Sequence, residues 1–164
     1  GGAVSASAEA RVSASGSNFS GNVAEIAGGA VQVSSGSGSA HPSVDAGGPA
    51  GGAFSVSDGG TLVVRDSSVE DNTADGRGGG VYCGRAANVT LEDVVFEGNQ
   101  ALGASGGAVS AEDGAEVLTS GCTLSGNRAS GGGAVFGTGD ETRVTVESCT
   151  LRNNVATKEG GGVR

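Results

Sequence analysis

The sequence predicts an all-β repeat protein, a parallel β-helix in which one chain winds into coils stacked along a single axis. Two short motifs return at nearly constant spacing along the 164 residues, and the apolar residues between them alternate with polar ones. Alternation is typical of strands, because neighbouring side chains point to opposite faces of a sheet. A repeat of this length indicates a solenoid, in which each coil buries its inner face only by stacking on its neighbours.

The first motif is Gly-Gly-Ala-Val with close variants, and it occurs seven times. Its copies begin at Gly1, Gly28, Gly51, Gly78, Gly106, Gly132 and Gly160. They lie 27, 23, 27, 28, 26 and 28 residues apart, which predicts about six coils of 23–28 residues. Because glycine adopts positive φ without a steric penalty, we expect the motif at the tightest corner of each coil. The glycines that we interpret as structural include Gly28, Gly29, Gly106, Gly107, Gly132 and Gly133.

The second motif places an apolar residue three positions before an asparagine, about half a period after the first motif. The pairs are Phe19/Asn22, Val69/Asn72, Phe96/Asn99, Leu124/Asn127 and Leu151/Asn154. An amide side chain carries both donors and acceptors, so we expect each asparagine to bond to turn backbone and to the copies above and below it. A structural role is therefore favoured over a catalytic role at these positions.

Three short strands per coil are predicted. In one repeat, Val89, Leu91 and Phe96 mark the inward positions of two strands, with a bend between them. The third strand starts at the valine of the glycine motif, as at Val81. Strands of successive coils would form parallel, in-register sheets at a spacing of about 4.8 Å. The chain has one tyrosine, four phenylalanines and no tryptophan or methionine, so we expect narrow coils filled by small apolar side chains.

The second repeat departs from the pattern. It is 23 residues long, it contains both prolines, Pro42 and Pro49, and no asparagine follows its apolar residue. We therefore predict that residues 34–50 form an irregular loop that replaces part of one coil. Residues 1–164 are otherwise predicted to form a single β-helix domain. The same glycine motif opens and closes the chain, so we expect a fragment of a longer solenoid.

Neither the cysteines nor the acidic residues form a pattern that predicts a catalytic, metal or cofactor site. Cys122 and Cys149 share an inward column in successive coils, and Cys83 lies in another inward column. Buried free thiols are favoured, and a disulfide between Cys122 and Cys149 is the open alternative. His41, the only histidine, is expected in a solvated loop. Most acidic candidates fall at corners, where aspartate before glycine is ordinary turn chemistry. These candidates are Asp58, Asp66, Asp71, Glu92, Asp93, Glu112, Asp113, Asp140 and Glu141.

The charge of the chain disfavours a nucleic-acid partner. Nine basic residues against 18 acidic residues give a net charge of −9. Phosphate binding needs a basic stripe, whereas the basic residues here are scattered among acids. No apolar run approaches the roughly twenty residues that a membrane-spanning helix needs, so no direct membrane span is expected. The expected partners are a protein or further coils of the same solenoid.

The two motifs in fixed phase resemble the paired GGA[VIL] and FxxN repeats of the chlamydial polymorphic outer membrane proteins. The resemblance covers nearly the whole chain, and Gly106-Gly107-Ala108-Val109 followed by Leu124-Ser125-Gly126-Asn127 conforms well to it. Departures include Val69, Leu124 and Leu151 in place of phenylalanine. The resemblance implies a single-stranded, right-handed parallel β-helix of the kind that autotransporters present as an adhesive passenger. It does not imply an enzyme.

The expected function is a non-catalytic, extracellular or cell-surface β-helix that serves as an adhesive or structural stalk. An architectural subunit or filament segment of a larger assembly is the alternative, and a polysaccharide-active enzyme is the third hypothesis. An exposed apolar stripe would favour a docked subunit, and a deep acidic groove would favour an enzyme.

Overall fold

A computed structural model describes residues 4–6, 11–24, 31–34 and 51–164. Within these ranges the chain forms 21 strands and no helix. The strands make four parallel sheets, which we call sheets A, B, C and D in the order in which each coil passes through them. The prediction of an all-β parallel β-helix is therefore confirmed.

The strands are numbered in chain order. Sheet A contains β1 (Val4–Ala6), β5 (Val31–Ser34), β6 (Phe54–Ser57), β10 (Val81–Cys83), β14 (Val109–Glu112) and β18 (Val135–Thr138). Sheet B contains β2 (Arg11–Ser15), β7 (Thr61–Arg65), β11 (Asn88–Glu92), β15 (Glu116–Ser120) and β19 (Arg143–Glu147). Sheet C contains β3 (Asn18–Ser20), β8 (Ser68–Glu70), β12 (Val95–Glu97), β16 (Thr123–Ser125) and β20 (Thr150–Arg152). Sheet D contains β4 (Val23–Ala24), β9 (Thr73–Ala74), β13 (Gln100–Ala101), β17 (Arg128–Gly131) and β21 (Val155–Glu159).

Each complete coil has four strands, which corrects the prediction of three. The missed strand follows the asparagine and contributes to sheet D, as in β13. It is only two residues long in β4, β9 and β13, so it is too short to show alternation in the sequence. Its one sequence signal is the alanine found two residues after each asparagine.

The described chain makes about four turns through all four sheets, fewer than the six coils predicted. Sheets B, C and D hold five strands each, whereas sheet A holds six. The difference arises because β2 pairs directly with β7, so that Arg11 lies opposite Thr61. Among the described residues, the second repeat thus gives β5 to sheet A and no strand to the other sheets. The loop predicted for residues 34–50 lies outside the described residues, apart from Ser34 at the end of β5.

The core is a narrow column that follows the axis of the helix. Strand pairing is in register, so identical repeat positions lie directly above one another, with Phe96 between Val69 and Leu124. Phe19 and Phe54 pack edge to face, with ring centroids 4.5 Å apart. The largest fully buried side chains include Phe54, Phe96, Leu62, Leu91 and Leu124. Each coil therefore closes around one layer of apolar side chains, and stacking the layers buries them.

The corners require backbone in the left-handed region. Just before the asparagine, the corner between sheets C and D has φ from 52° to 66° at Gly21, Asp71, Gly98, Gly126 and Asn153. The corner between sheets B and C has φ from 48° to 66° at Gly16, Asp66, Asp93, Gly121 and Ser148. Glycine, aspartate and asparagine tolerate this region best, which explains their recurrence at these two columns.

Candidate functional site

The asparagine column is a continuous ladder of hydrogen bonds along the axis. The Oδ1 atom of Asn99 accepts from the backbone N–H of Asn72 at 3.1 Å and from its Nδ2 at 2.9 Å. In turn, Nδ2 of Asn99 donates to the Val69 carbonyl at 2.8 Å and to Oδ1 of Asn127 at 2.9 Å. The same set of bonds links Asn127 to Asn154, and Asn72 also accepts from Asn22. The arrangement binds coil to coil along the axis.

The two glycines of the first motif have different geometries. The first glycine has positive φ in every described copy, for example 72° at Gly106. The second glycine has ordinary φ but lies against backbone on two sides, as Gly107 does against Gly133 of the next coil and Arg128 of its own. Gly132 and Gly133 repeat this division, whereas Gly28 and Gly29 lie outside the described residues.

The three cysteines are free thiols, and Cys83 and Cys122 are buried. The Sγ–H groups of Cys122 and Cys149 donate to carbonyls of Ser120 and Glu147, two residues earlier, at 3.4 and 3.1 Å. The hydroxyl of Ser67, two coils below Cys122 in this column, makes the same bond to the carbonyl of Arg65. Burial raises the pKa of the Cys122 thiol to about 11 and raises that of Cys83 further, so neither is a poised nucleophile.

Most acidic candidates lie at turns, as expected. Asp58, Asp66, Asp71, Asp93, Asp113 and Glu141 have positive φ. Glu92 is partly exposed, and its Oε2 lies 2.5 Å from Nε of Arg65, which lowers the pKa of Glu92. In the described ranges no group of three histidine, cysteine, aspartate or glutamate side chains is placed to hold a metal ion, and His41 lies outside those ranges.

Glu112 is the exception, and the expectation of a solvated turn was wrong for it. It is the last residue of β14 and only 4% exposed, on the outer face of sheet A. Its Oε2 lies 2.8 Å from Nη1 of Arg77, and its Oε1 accepts from the Ser110 hydroxyl at 3.3 Å. No regular spacing in the sequence links Arg77 to Glu112, because the first precedes one glycine motif and the second follows the next.

On the outer face of sheet A, the charges of Glu112 and Arg77 influence the pKa values of neighbouring groups. Burial raises the pKa of the Glu112 carboxyl, while the charge of Arg77 and the bond from Ser110 oppose that rise. Burial, together with the Glu112 charge, raises the pKa of Tyr82 to about 12. Each carboxylate oxygen of Glu112 thus has a polar partner, Arg77 for Oε2 and Ser110 for Oε1.

Replacing Arg77 with glutamine is expected to lower the free energy of unfolding by about 1–3 kcal/mol at pH 7, since a buried carboxylate loses its cation. The pKa of Glu112 is already raised in the folded state. A raised pKa means that folding favours the protonated carboxyl. The contribution of Glu112 to the free energy of unfolding is therefore fully present below its unfolded pKa of about 4.3, and it is lost as the pH rises through the folded pKa. The loss caused by R77Q should therefore shrink near pH 4.

Urea titrations of R77Q and the parent protein at pH 4 and pH 7 measure this effect. The matched control is R143Q, because Arg143 is 77% exposed and lies 3.9 Å from the exposed Glu116. That change should alter stability by no more than about 0.5 kcal/mol at either pH. An equal loss for R77Q at both pH values would contradict the electrostatic explanation.

A shallow depression of about 180 Å³ lies on the outer face of sheet D. Its lining residues are Gln100, Ala101, Leu102, Arg128, Ala129, Ser130 and Thr157. The Leu102 side chain is 61% exposed. Within the described part of the chain, the Arg128 guanidinium makes no ion pair, and Gln100, Ser130 and Thr157 make no side-chain hydrogen bond. No motif in the sequence marks this group of residues.

The depression follows from the lengths of neighbouring coils. Between the asparagine and the next glycine motif there are six residues in one coil (100–105), four in the following coil (128–131) and five in the last (155–159). The short coil therefore lies between two longer ones, and the pairing of β17 with β21 shifts register between Ala129 and Gly131. These counts can be read from the sequence. Because the strand of sheet D was not predicted, however, they did not indicate a depression on that sheet.

The sheets and the ladder define the class of protein: the chain is a parallel β-helix repeat protein. Two stretches, residues 66–84 and 93–112, match the Chlamydia polymorphic membrane protein repeat, and each contains an asparagine and a glycine motif. The chain thus carries repeats of the polymorphic membrane protein type, which confirms the resemblance. This repeat family is one of non-enzymatic surface proteins. No curated protein and no solved structure matches the chain.

Proposed function

We propose that this chain is a non-catalytic β-helical segment of an extracellular or cell-surface protein and serves as an adhesive or structural stalk. The observation that carries the proposal is the division of each sheet D strand into a constant inward position and a variable outward one. Inward, Ala74, Ala101 and Ala129 are all buried. Outward, threonine, glutamine and arginine replace one another in the paired positions 73, 100 and 128. A constant scaffold that presents variable side chains suits recognition by a rod-shaped surface protein.

The distribution of exposed apolar residues favours the stalk over a docked architectural subunit. The exposed large apolar side chains among the described residues are Val23, Val95, Leu102, Val155 and Val163. Val23 and Val155 share one column, yet three polar residues separate them. Docking through a lateral face would instead need a contiguous apolar patch. The partners of the stalk would be a protein or further coils of the same solenoid.

The lining of the depression on sheet D is consistent with a non-enzymatic segment. The depression on sheet D has no carboxylate in its lining, so it lacks the acid pair of a glycoside hydrolase. None of the described residues forms a helix long and apolar enough to cross a membrane. The surface placement rests on the matched repeat and on the fold.

Labelling of intact cells tests the surface placement. Lys158 is the single lysine of the chain and is exposed in β21. A membrane-impermeant amine reagent should modify it on intact cells, and trypsin would then leave residues 153–164 as one peptide, because it does not cut after a modified lysine. Labelling that requires cell lysis would contradict a surface location.

Adhesion is tested with beads that carry the purified protein. Beads coated with the folded chain should bind to target cells more strongly than beads coated with the same amount of the unfolded protein. If surface labelling succeeds and both kinds of bead bind equally, the structural form of the stalk is supported and the adhesive form is not.

A further inference from the structure

The depression on sheet D contains polar groups of the kind that recognise a small anionic ligand. Arg128 presents a planar guanidinium, which matches the two oxygens of a carboxylate. Gln100, Ser130 and Thr157 add an amide and two hydroxyls, which can both donate and accept. Because these side chains make no hydrogen bonds among the described residues, a ligand would not have to break existing ones.

The size and shape of the depression limit the ligand. A volume of about 180 Å³ corresponds to about six waters at their share of liquid volume, which suits one six-membered sugar ring and not an extended chain. Leu102 supplies an exposed apolar surface beside the polar groups. A pyranose ring combines an apolar face with hydroxyls along its edge, so it is complementary to both.

The local charge also favours an anion, although the whole chain carries a net charge of −9. No carboxylate lines the depression, and Arg128 and Lys158 lie on adjacent strands of sheet D. The nearest acid in sequence, Glu159, is paired with Arg164 at 2.6 Å, which offsets its charge. An arginine without an acidic partner in an acidic protein is available to an external carboxylate.

We propose that this depression binds a carboxylate-bearing monosaccharide, a uronic acid residue of a glycan, through Arg128, Gln100, Ser130 and Thr157. Arg128 pairs with the carboxylate, the amide and hydroxyls bond to the ring hydroxyls, and Leu102 packs against the apolar face. The inference rests on the proposed adhesive function and names its ligand class. It concerns one exposed site, so a single ring should bind weakly and affinity would come from several chains on one surface.

The test is a titration of the ¹⁵N-labelled protein with sodium glucuronate, followed through the backbone amide signals of residues 100–102 and 128–130. Saturable shifts confined to these residues are expected. Glucose, which lacks the carboxylate, should bind about tenfold more weakly, since a charged hydrogen bond is lost. R128Q should weaken glucuronate binding by a similar factor.

The matched control is R152Q, which removes the same charge from an exposed arginine on sheet C. It should leave glucuronate binding unchanged. S130F, which fills the depression without changing its charge, should abolish binding while the amide spectrum remains that of the folded protein. An equal effect of R152Q and R128Q would overturn the proposal, because it would show a general charge effect.

Three further outcomes would also overturn the proposal. The first is the absence of saturable shifts. The second is displacement of glucuronate by an equal concentration of sodium sulfate, which would indicate a site for any anion. The third is tighter binding of the dipeptide Gly-Gly than of glucuronate, which would indicate a site for a peptide carboxylate. Failure of the adhesive function is distinguishable, because sugar binding is measured on the isolated protein. If glucuronate binds and R128Q beads adhere to cells as well as parent beads, the site exists but adhesion does not use it.

Discussion

Replacing Asn99 with aspartate is expected to lower the free energy of unfolding by about 3–5 kcal/mol at pH 7. Asn99 is fully buried, and its Nδ2 donates to the Val69 carbonyl and to Oδ1 of Asn127. An aspartate oxygen in that place would face two acceptors and donate to neither. The second oxygen would still accept from Asn72, and Oδ1 of Asn127 would still accept from the backbone N–H of residue 99. The loss therefore comes from a buried charge that faces two acceptors, each deprived of its Nδ2 donor.

The effect of N99D should depend on pH. Burial and two facing acceptors raise the pKa of the new carboxyl above its unfolded value of about 3.9, because the charged form is disfavoured in the folded state. Below the unfolded pKa both states are protonated, and the ionisation penalty is absent. The penalty then grows as the pH rises toward the folded pKa. N99D should therefore be least destabilised near pH 3, where its protonated oxygen can also donate one bond.

Urea unfolding at several pH values, compared with the parent at each pH, measures this difference. N88D is the matched control, because Asn88 is exposed at the start of β11 and makes no side-chain bond among the described residues. It should change stability by less than about 0.5 kcal/mol. A loss in N99D that is small at pH 7, or that does not vary with pH, would show that the ladder contributes little.

The fold could be predicted from the sequence because its repeat positions carry strict steric and polar requirements. Inward positions accept only small or apolar side chains, corner positions favour glycine, aspartate or asparagine, and the ladder needs an amide. Each requirement recurs in all coils except the second repeat, so repetition makes it visible without any knowledge of the structure. The columns that contain Phe96 and Asn99 show this most clearly. In the next coil the first column holds the apolar Leu124 and the second holds the amide of Asn127.

The features that sequence analysis missed are those that do not repeat. The strands of sheet D escaped because two residues are too few to display a period. The burial of Glu112 depends on Arg77, and no other coil contains this pair. The depression beside Arg128 arises from a difference between coils, four residues against six and five. Function in a solenoid is expected to lie in such differences, because the repeated positions are committed to the scaffold.

The fixed phase of the two motifs has a steric explanation that also gives the second large prediction. The second glycine of each motif packs across the coil against the residue that follows the asparagine. A Cβ on Gly107 would lie 2.6 Å from the backbone N and 2.9 Å from the carbonyl C of Arg128, and it would also clash with the Gly133 carbonyl. Gly79 meets Gln100 in the same way, and Gly133 meets Val155. The glycine motif therefore allows the asparagine corner to approach it.

The substitution G107A is accordingly expected to cost about 3 kcal/mol, the upper end for overpacking, because backbone on both sides cannot move away without breaking sheet bonds. G126A is the matched control. Gly126 has a φ of 64°, but a Cβ there would find its nearest neighbour at 3.8 Å. Its penalty is conformational, about 1–2 kcal/mol. Urea unfolding of both variants compares the stability cost of a Cβ that clashes with backbone with the cost of a Cβ at a residue of positive φ. If G126A were the more damaging change, backbone conformation would be the requirement at the glycine motif, and the link between the two motifs would have no steric basis.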